Sequence, residues 1–120
     1  MRSRDFHGHG VTDSLWCRVT TPLPDDPVVH ACVLVYLSDY GGGFVMQDIP
    51  GLPLGGPSID HVLWFHAPVR VDDWVLVDLA PQRASDARGT YLGTIRGQDG
   101  TLAAVLGQEC LLRPMPDPPT

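Results

Sequence analysis

Three polar side chains stand in apolar company, and their types suit a reaction that begins with a proton leaving water. The apolar stretch Val28 to Leu37 runs into Ser38-Asp39 just before Tyr40-Gly41-Gly42-Gly43. A carboxylate therefore lies at the end of what reads as a helix, which is the negative end of its dipole and an unfavourable place for an anion. Burial disfavours its charged form and hydrogen-bond donors favour it, the usual tuning of a general base. A frayed helix end facing solvent is the plainer account. Further on, Ser58-Ile59-Asp60-His61 opens an extended run. With regular alternation Ser58, Asp60, Val62, Trp64 and His66 share one face, and Ile59, His61, Leu63 and Phe65 share the other. Asp60-His61 reads either as an acid-base pair, because imidazole titrates near neutrality, or as structural hydrogen-bonding groups, because adjacent residues on opposite faces meet poorly. Near the C-terminus, alternation sets Gln108 in a row with Leu106, Cys110 and Leu112. A buried amide needs partners for both its oxygen and its nitrogen, so Gln108 is either a structural bond or an amide that holds a water or a carbonyl. Together the three supply a carboxylate to take a proton and a hydroxyl and an amide to orient the water.

Other chemistries have less support. All eight basic residues are arginine, so no lysine amine is present for Schiff-base chemistry. Cys17, Cys32 and Cys110 are far apart and odd in number, which suggests buried packing and neither a disulfide framework nor a metal site. His7-Gly8-His9 on a polar arm lacks the further ligands of a defined metal centre. No metal and no cofactor is expected.

The elements that must position these groups read as follows. Ser14 to Thr20 is a short strand closed by Pro22 and Pro24. Asp25-Asp26-Pro27 then starts a helix with an Asp cap and a Pro at its first position, running to about Asp39. Its body is apolar around nearly the whole circumference, which predicts burial on most sides. Residues 44 to 57, with three prolines and three glycines, predict a long loop that suits a lid. Extended segments follow at Ile59 to Ala67, Trp74 to Leu79, Arg88 to Gly97 and Thr101 to Arg113, the last two joined by an Asp99-Gly100 hairpin turn. This order is an α+β layout. Long antiparallel strands curling around one central buried helix resemble the hotdog fold.

The chain has 120 residues, 43% hydrophobic and 18% charged, the size of one globular domain. We expect a loose arm over residues 1–12, one domain over 13–113 and a Pro-rich tail over 114–120. Fourteen acidic residues against eight basic ones give a net charge of −6, the wrong sign for nonspecific binding of nucleic acid or anionic membrane. No run approaches the roughly 18 apolar residues of a membrane span, and no signal peptide is evident, so a cytoplasmic location is expected.

The stretches Leu23-Pro24-Asp25-Asp26-Pro27, Tyr36-Leu37-Ser38-Asp39, Ser58 to His66, Asp73-Trp74-Val75-Leu76, Ala87-Arg88-Gly89, Asp99-Gly100-Thr101-Leu102 and Gln108-Glu109 resemble the C-terminal hotdog repeat of the bacterial acyl-CoA thioesterase II (TesB-like) family, a resemblance that extends over about residues 14 to 113. The resemblance implies that Asp39, Ser58 and Gln108 bind and activate a water for attack on an acyl thioester, without a covalent acyl-enzyme. Position 58 is Ser where Thr is common, and the hydroxyl is kept. It further implies a substrate carried on CoA or an acyl carrier protein. The acyl tail would lie between Val33, Leu37, Phe44 and Val45, and the CoA phosphates near Arg70 or Arg88. The family is a tandem of two repeats whereas this chain has one, so a second copy in a homodimer or larger homo-oligomer would supply the missing half. Two alternatives accompany this expectation: a noncatalytic acyl-binding or assembly module, and a hydratase or dehydratase acting through Asp60 and His61.

Overall fold

The computed structural model describes residues 3–4, 13–40, 54–55 and 57–114. One helix, α1 (Pro27–Tyr40), lies against a six-stranded antiparallel sheet. The strands of that sheet are β1 (Ser3–Arg4), β2 (Asp13–Cys17), β4 (Ser58–Phe65), β5 (Val75–Ser85), β6 (Arg88–Gly97) and β7 (Leu102–Leu111), in the order β1-β2-β5-β6-β7-β4. A second, two-stranded sheet joins β3 (Leu54–Gly55) to β8 (Arg113–Pro114). No helix among the described residues is long and apolar enough to cross a membrane.

The helix begins where the Asp-Asp-Pro sequence directs it to. Asp26 Oδ1 accepts the Val28 N–H at 2.9 Å, which satisfies one of the unpaired donors of the first turn. His30, one turn in, is buried and ties α1 to the chain on either side. Its Nδ1 accepts the Val71 N–H at 3.1 Å, so Nε2 carries the proton donated to the Pro24 carbonyl at 3.0 Å. Leu34 and Ser38, on the same stripe of the helix, are buried against the sheet.

The core is the inner face of the long strands: Val75, Val77 and Leu79 of β5, Tyr91 and Ile95 of β6, and Ala104 and Leu106 of β7, closed by Leu34 and Val71. Gly93 sits among them because nothing larger fits. A Cβ there would meet Leu79 Cδ2 at 2.6 Å and the Asp78 carbonyl oxygen at 2.8 Å. The β6-β7 hairpin forms at the Asp-Gly pair as the sequence implies, with Gly97 N–H on the Thr101 carbonyl at 2.9 Å and Gly100 at φ 87°. The β5-β6 turn uses Asp86 and Ala87, both left-handed at φ 54° and 59°.

Three expectations need correction. First, α1 is not covered on most sides: Val28, Cys32, Val35 and Tyr36 form an exposed stripe opposite the buried one. The sheet of one chain covers only one face of a helix, so an all-round apolar composition is left partly unmatched. Second, β5 continues to Ser85, beyond the expected end at Leu79, because a register shift between Pro81 and Arg83 lets the strand absorb a proline. Third, Ser3–Arg4, assigned to a loose arm, pairs with Asp13 and Ser14 of β2.

Candidate active site

Four elements converge where α1 ends. Asp39 comes from the last turn of α1, Ser58 and His61 from the start of β4, and Tyr91 and Gln108 from the facing positions of β6 and β7. The register sets this arrangement: Gln108 of β7 is opposite His61 of β4 on one side and Tyr91 of β6 on the other. All three side chains lie on the inner face, beneath the helix.

Ser58 joins them through a β-bulge. Ser58 pairs with Cys110 and Asp60 with Glu109, so Ile59 is an extra residue in β4. Regular alternation would put Ser58 and His61 on opposite faces; the extra residue turns Ser58 to the inner face beside Gln108. Asp60 secures the bulge from the outside by accepting the Glu109 N–H on its Oδ1 at 2.9 Å. Asp60 and His61 consequently look to opposite sides of the sheet and do not form an acid-base pair.

Gln108 is the hub of the cluster. It is 95% buried, with 5% of its surface exposed. Its Nε2 donates to Asp39 Oδ1 at 3.1 Å and to Ser58 Oγ. Its Oε1 accepts from the Tyr91 hydroxyl and from His61 Nδ1, the latter at 2.5 Å. His61 Nε2 lies 2.8 Å from Ser38 Oγ, whose hydroxyl also reaches the Val35 carbonyl at 2.6 Å. Asp39, by contrast, is 62% exposed, and its Oδ1 lies 3.7 Å from His61 Nδ1. Both of these Asp39 contacts use Oδ1. Asp39 borders a cavity of about 470 Å³ that is also lined by Val35, Tyr36, Ser58 and His61.

Burial, followed by the charge of Asp39, pushes the Tyr91 phenol well above its usual range, so it serves as a neutral donor. Burial likewise pushes the thiols of Cys17 and Cys110 upward, away from the thiolate form a nucleophile needs.

Sequence reasoning thus selected Asp39, Ser58 and Gln108, and these three side chains meet. It missed Ser38 and Tyr91 as partners. Ser38 had a visible signal, a hydroxyl on the buried His30-Leu34-Ser38 stripe, whereas Tyr91 becomes a partner only through strand register. The expected acyl walls fare differently. Val33 and Leu37 pack against the core cluster, and it is Val35 and Tyr36 that line the cavity, because the helix turns its other stripe to the sheet. Phe44 and Val45 lie outside the described residues.

Neither arginine borders the cavity. Arg70 is held by Asp72 and Asp25 near the start of α1, about 18 Å from Asp39 at 1.5 Å per helical residue. Its neighbourhood is a separate cavity of about 280 Å³ beside His30 and Phe65. Arg88 pairs with Glu109 Oε1 at 3.2 Å on the outer face of the sheet.

Comparison with known proteins places this chain in a class. A family model described as the acyl-CoA thioesterase C-terminal domain matches residues 2–112, and the chain belongs to that family. It is 36% identical over 94 residues to acyl-coenzyme A thioesterase 8 of Homo sapiens, covering 76% of this chain and 30% of that one. It is 32% identical over 108 residues to acyl-CoA thioesterase 2 of Haemophilus influenzae, covering 82% and 36%. Among solved structures, acyl-CoA thioesterase II TesB2 of Mycobacterium marinum superposes with a TM-score of 0.80 at 33% identity, covering 97% of this chain and 47% of that one. A hot-dog-like protein of Thermanaerovibrio acidaminovorans, 13% identical over 88% of this chain and 83% of its own, has a TM-score of 0.68 and shares the fold. The fold is the α+β hotdog. The chain spans about a third of the length of these two named thioesterases and about half of TesB2.

Proposed function

We propose that this chain hydrolyses acyl-CoA thioesters by direct attack of water, with Asp39 as general base and Ser58 and Gln108 ordering the nucleophile. The observation that carries this reading is the single buried amide that contacts both Asp39 and Ser58 at the wall of an open cavity. Asp39 takes a proton from water as the water oxygen bonds to the acyl carbon. Collapse of the tetrahedral intermediate breaks the carbon-sulfur bond, and the proton on Asp39 passes to the departing thiolate, giving free acid and free thiol. No acyl-enzyme is required, in keeping with the raised thiols of Cys17 and Cys110. The acyl group lies against Val35 and Tyr36. For the CoA phosphates Arg88 stays a candidate, since its exposed guanidinium has one carboxylate partner where Arg70 has two.

A second copy of the chain completes the site. β4 is the terminal strand of the main sheet, and its Ile59, Trp64 and Phe65 are exposed, as is the stripe of α1 that carries Val35 and Tyr36. Joining two copies there continues the sheet and covers both surfaces.

The test is thiol release from acyl-CoAs of graded length, alongside absorbance of a crotonyl-type enoyl-CoA. The proposal expects thiol release that falls in Ser58→Ala and Gln108→Ala variants of unchanged fold. Water addition to the enoyl group with the thioester intact, or binding without turnover of any acyl-CoA, would overturn it.

A further inference from the structure

The hydrogen count around Gln108 fixes which way its amide points. Asp39 offers only acceptor oxygens, so the amide must meet it with Nε2–H, and the same NH₂ group supplies the bond to Ser58 Oγ. Oε1 is then turned to Tyr91 and His61, and both must donate: Tyr91 through its hydroxyl and His61 through Nδ1–H. At the far side of the imidazole, Nε2 meets Ser38 Oγ. Ser38 has one proton and two acceptors in reach, Nε2 of His61 and the Val35 carbonyl. A neutral imidazole takes that proton; a protonated one donates to Ser38 while the hydroxyl swings to Val35. In either form Nδ1–H stays on Gln108.

We propose that His61 and Tyr91 are positioning residues which hold the Gln108 amide in the one orientation that presents its N–H groups to Asp39 and Ser58, with Ser38 fixing the imidazole ring. Without those two donors Oε1 is left buried and unpaired, and the amide is held only from its Asp39 and Ser58 side. The freed amide then shifts to find other partners for Oε1 and loosens the groups that order water. The inference rests on the hydrolytic reading above and adds to it the residues that keep its geometry.

Two substitutions at one position separate this role from a general packing role. Asparagine places its side-chain nitrogen where Nδ1 of histidine lies, and glutamine places its own where Nε2 lies. His61→Gln and Tyr91→Phe are each expected to lower kcat about tenfold with KM within about twofold, the range typical of groups that orient a reacting side chain. His61→Asn should retain most of the wild-type kcat. Combining His61→Gln with Tyr91→Phe should bring the loss to that of Gln108→Ala. All rates are read below the thermal midpoint of each variant, so that a folding defect at buried Tyr91 does not enter. Independently of activity, nitrogen NMR of the histidine-labelled chain should find Nδ1 of His61 protonated. Equal rates for His61→Asn and His61→Gln, or a lone pair at Nδ1, would overturn the inference. Full turnover by Gln108→Ala would instead overturn the hydrolytic reading, and the NMR result would still decide the amide orientation.

Discussion

Gln108 uses its whole hydrogen-bonding capacity inside the protein, two donors outward and one oxygen shared inward, and this makes the carboxylate of Asp39 and the hydroxyl of Ser58 parts of one unit. The residue types were legible in the sequence. A carboxylate at the wrong end of a helix dipole and an amide in an apolar row each conflict with their surroundings, and such conflicts mark functional positions. Tyr91 was not legible, because a buried tyrosine among strand residues breaks no local rule. A second ionisable cluster, far from the site, is structural. Asp72 is held down to about 2, first by the Arg70 guanidinium and then by the Leu23 N–H. A depressed carboxylate stabilises the fold above its free value of 3.8, and this contribution is lost as pH falls through about 2. The difference in urea midpoint between the wild type and Asp72→Asn should therefore be full at pH 5 and shrink toward zero near pH 2. A difference independent of pH would contradict this assignment.

The bulge in β4 is the element-scale device that makes the site possible. Alternation read from the sequence placed Ser58 on the face opposite His61, and one extra residue, Ile59, reverses that. Nothing in the Ser-Ile-Asp-His wording announces a bulge, since bulges are set by pairing with a distant strand and by which side chain occupies the freed N–H. Here that side chain is Asp60. Asp60→Ala should cost about 1 kcal/mol of stability, the size of one such bond, and lower turnover by letting Ser58 drift. Asp60→Asn keeps the accepting oxygen and should stay near the wild type in both denaturant titration and thiol release. Loss of activity in Asp60→Asn would instead make Asp60 an acid or base, as in a hydratase. Elsewhere the elements followed their signals: the Asp-Pro cap started α1 and the Asp-Gly pair turned β6 into β7. The extension of β5 beyond Leu79 was not legible, because the terminating effect of a proline such as Pro81 disappears when the strand bulges beside it.

The whole molecule carries more apolar surface than one chain covers. The composition of α1 suggested burial all round, yet Tyr36 is 73% and Val28 66% exposed, while the terminal strand β4 shows Trp64 and Phe65. Composition gave the helix type, but an apolar circumference does not say how much of it one sheet covers, so the one-sided burial was not legible. Sedimentation of the wild type should report a dimer or larger assembly. Replacing Trp64 and Phe65 together by glutamate should yield a monomer that has lost most of its thiol release. A folded monomer with full activity would contradict the shared site.

The most direct measurement is the turnover of Asp39→Asn on the best acyl-CoA substrate, paired with the affinity of a non-hydrolysable thioether analogue. If Asp39 removes the proton from the attacking water, kcat should fall by about 10² or more, the contribution of a general base, while the analogue binds as it does to the wild type. Wild-type turnover in a correctly folded Asp39→Asn protein would contradict the account.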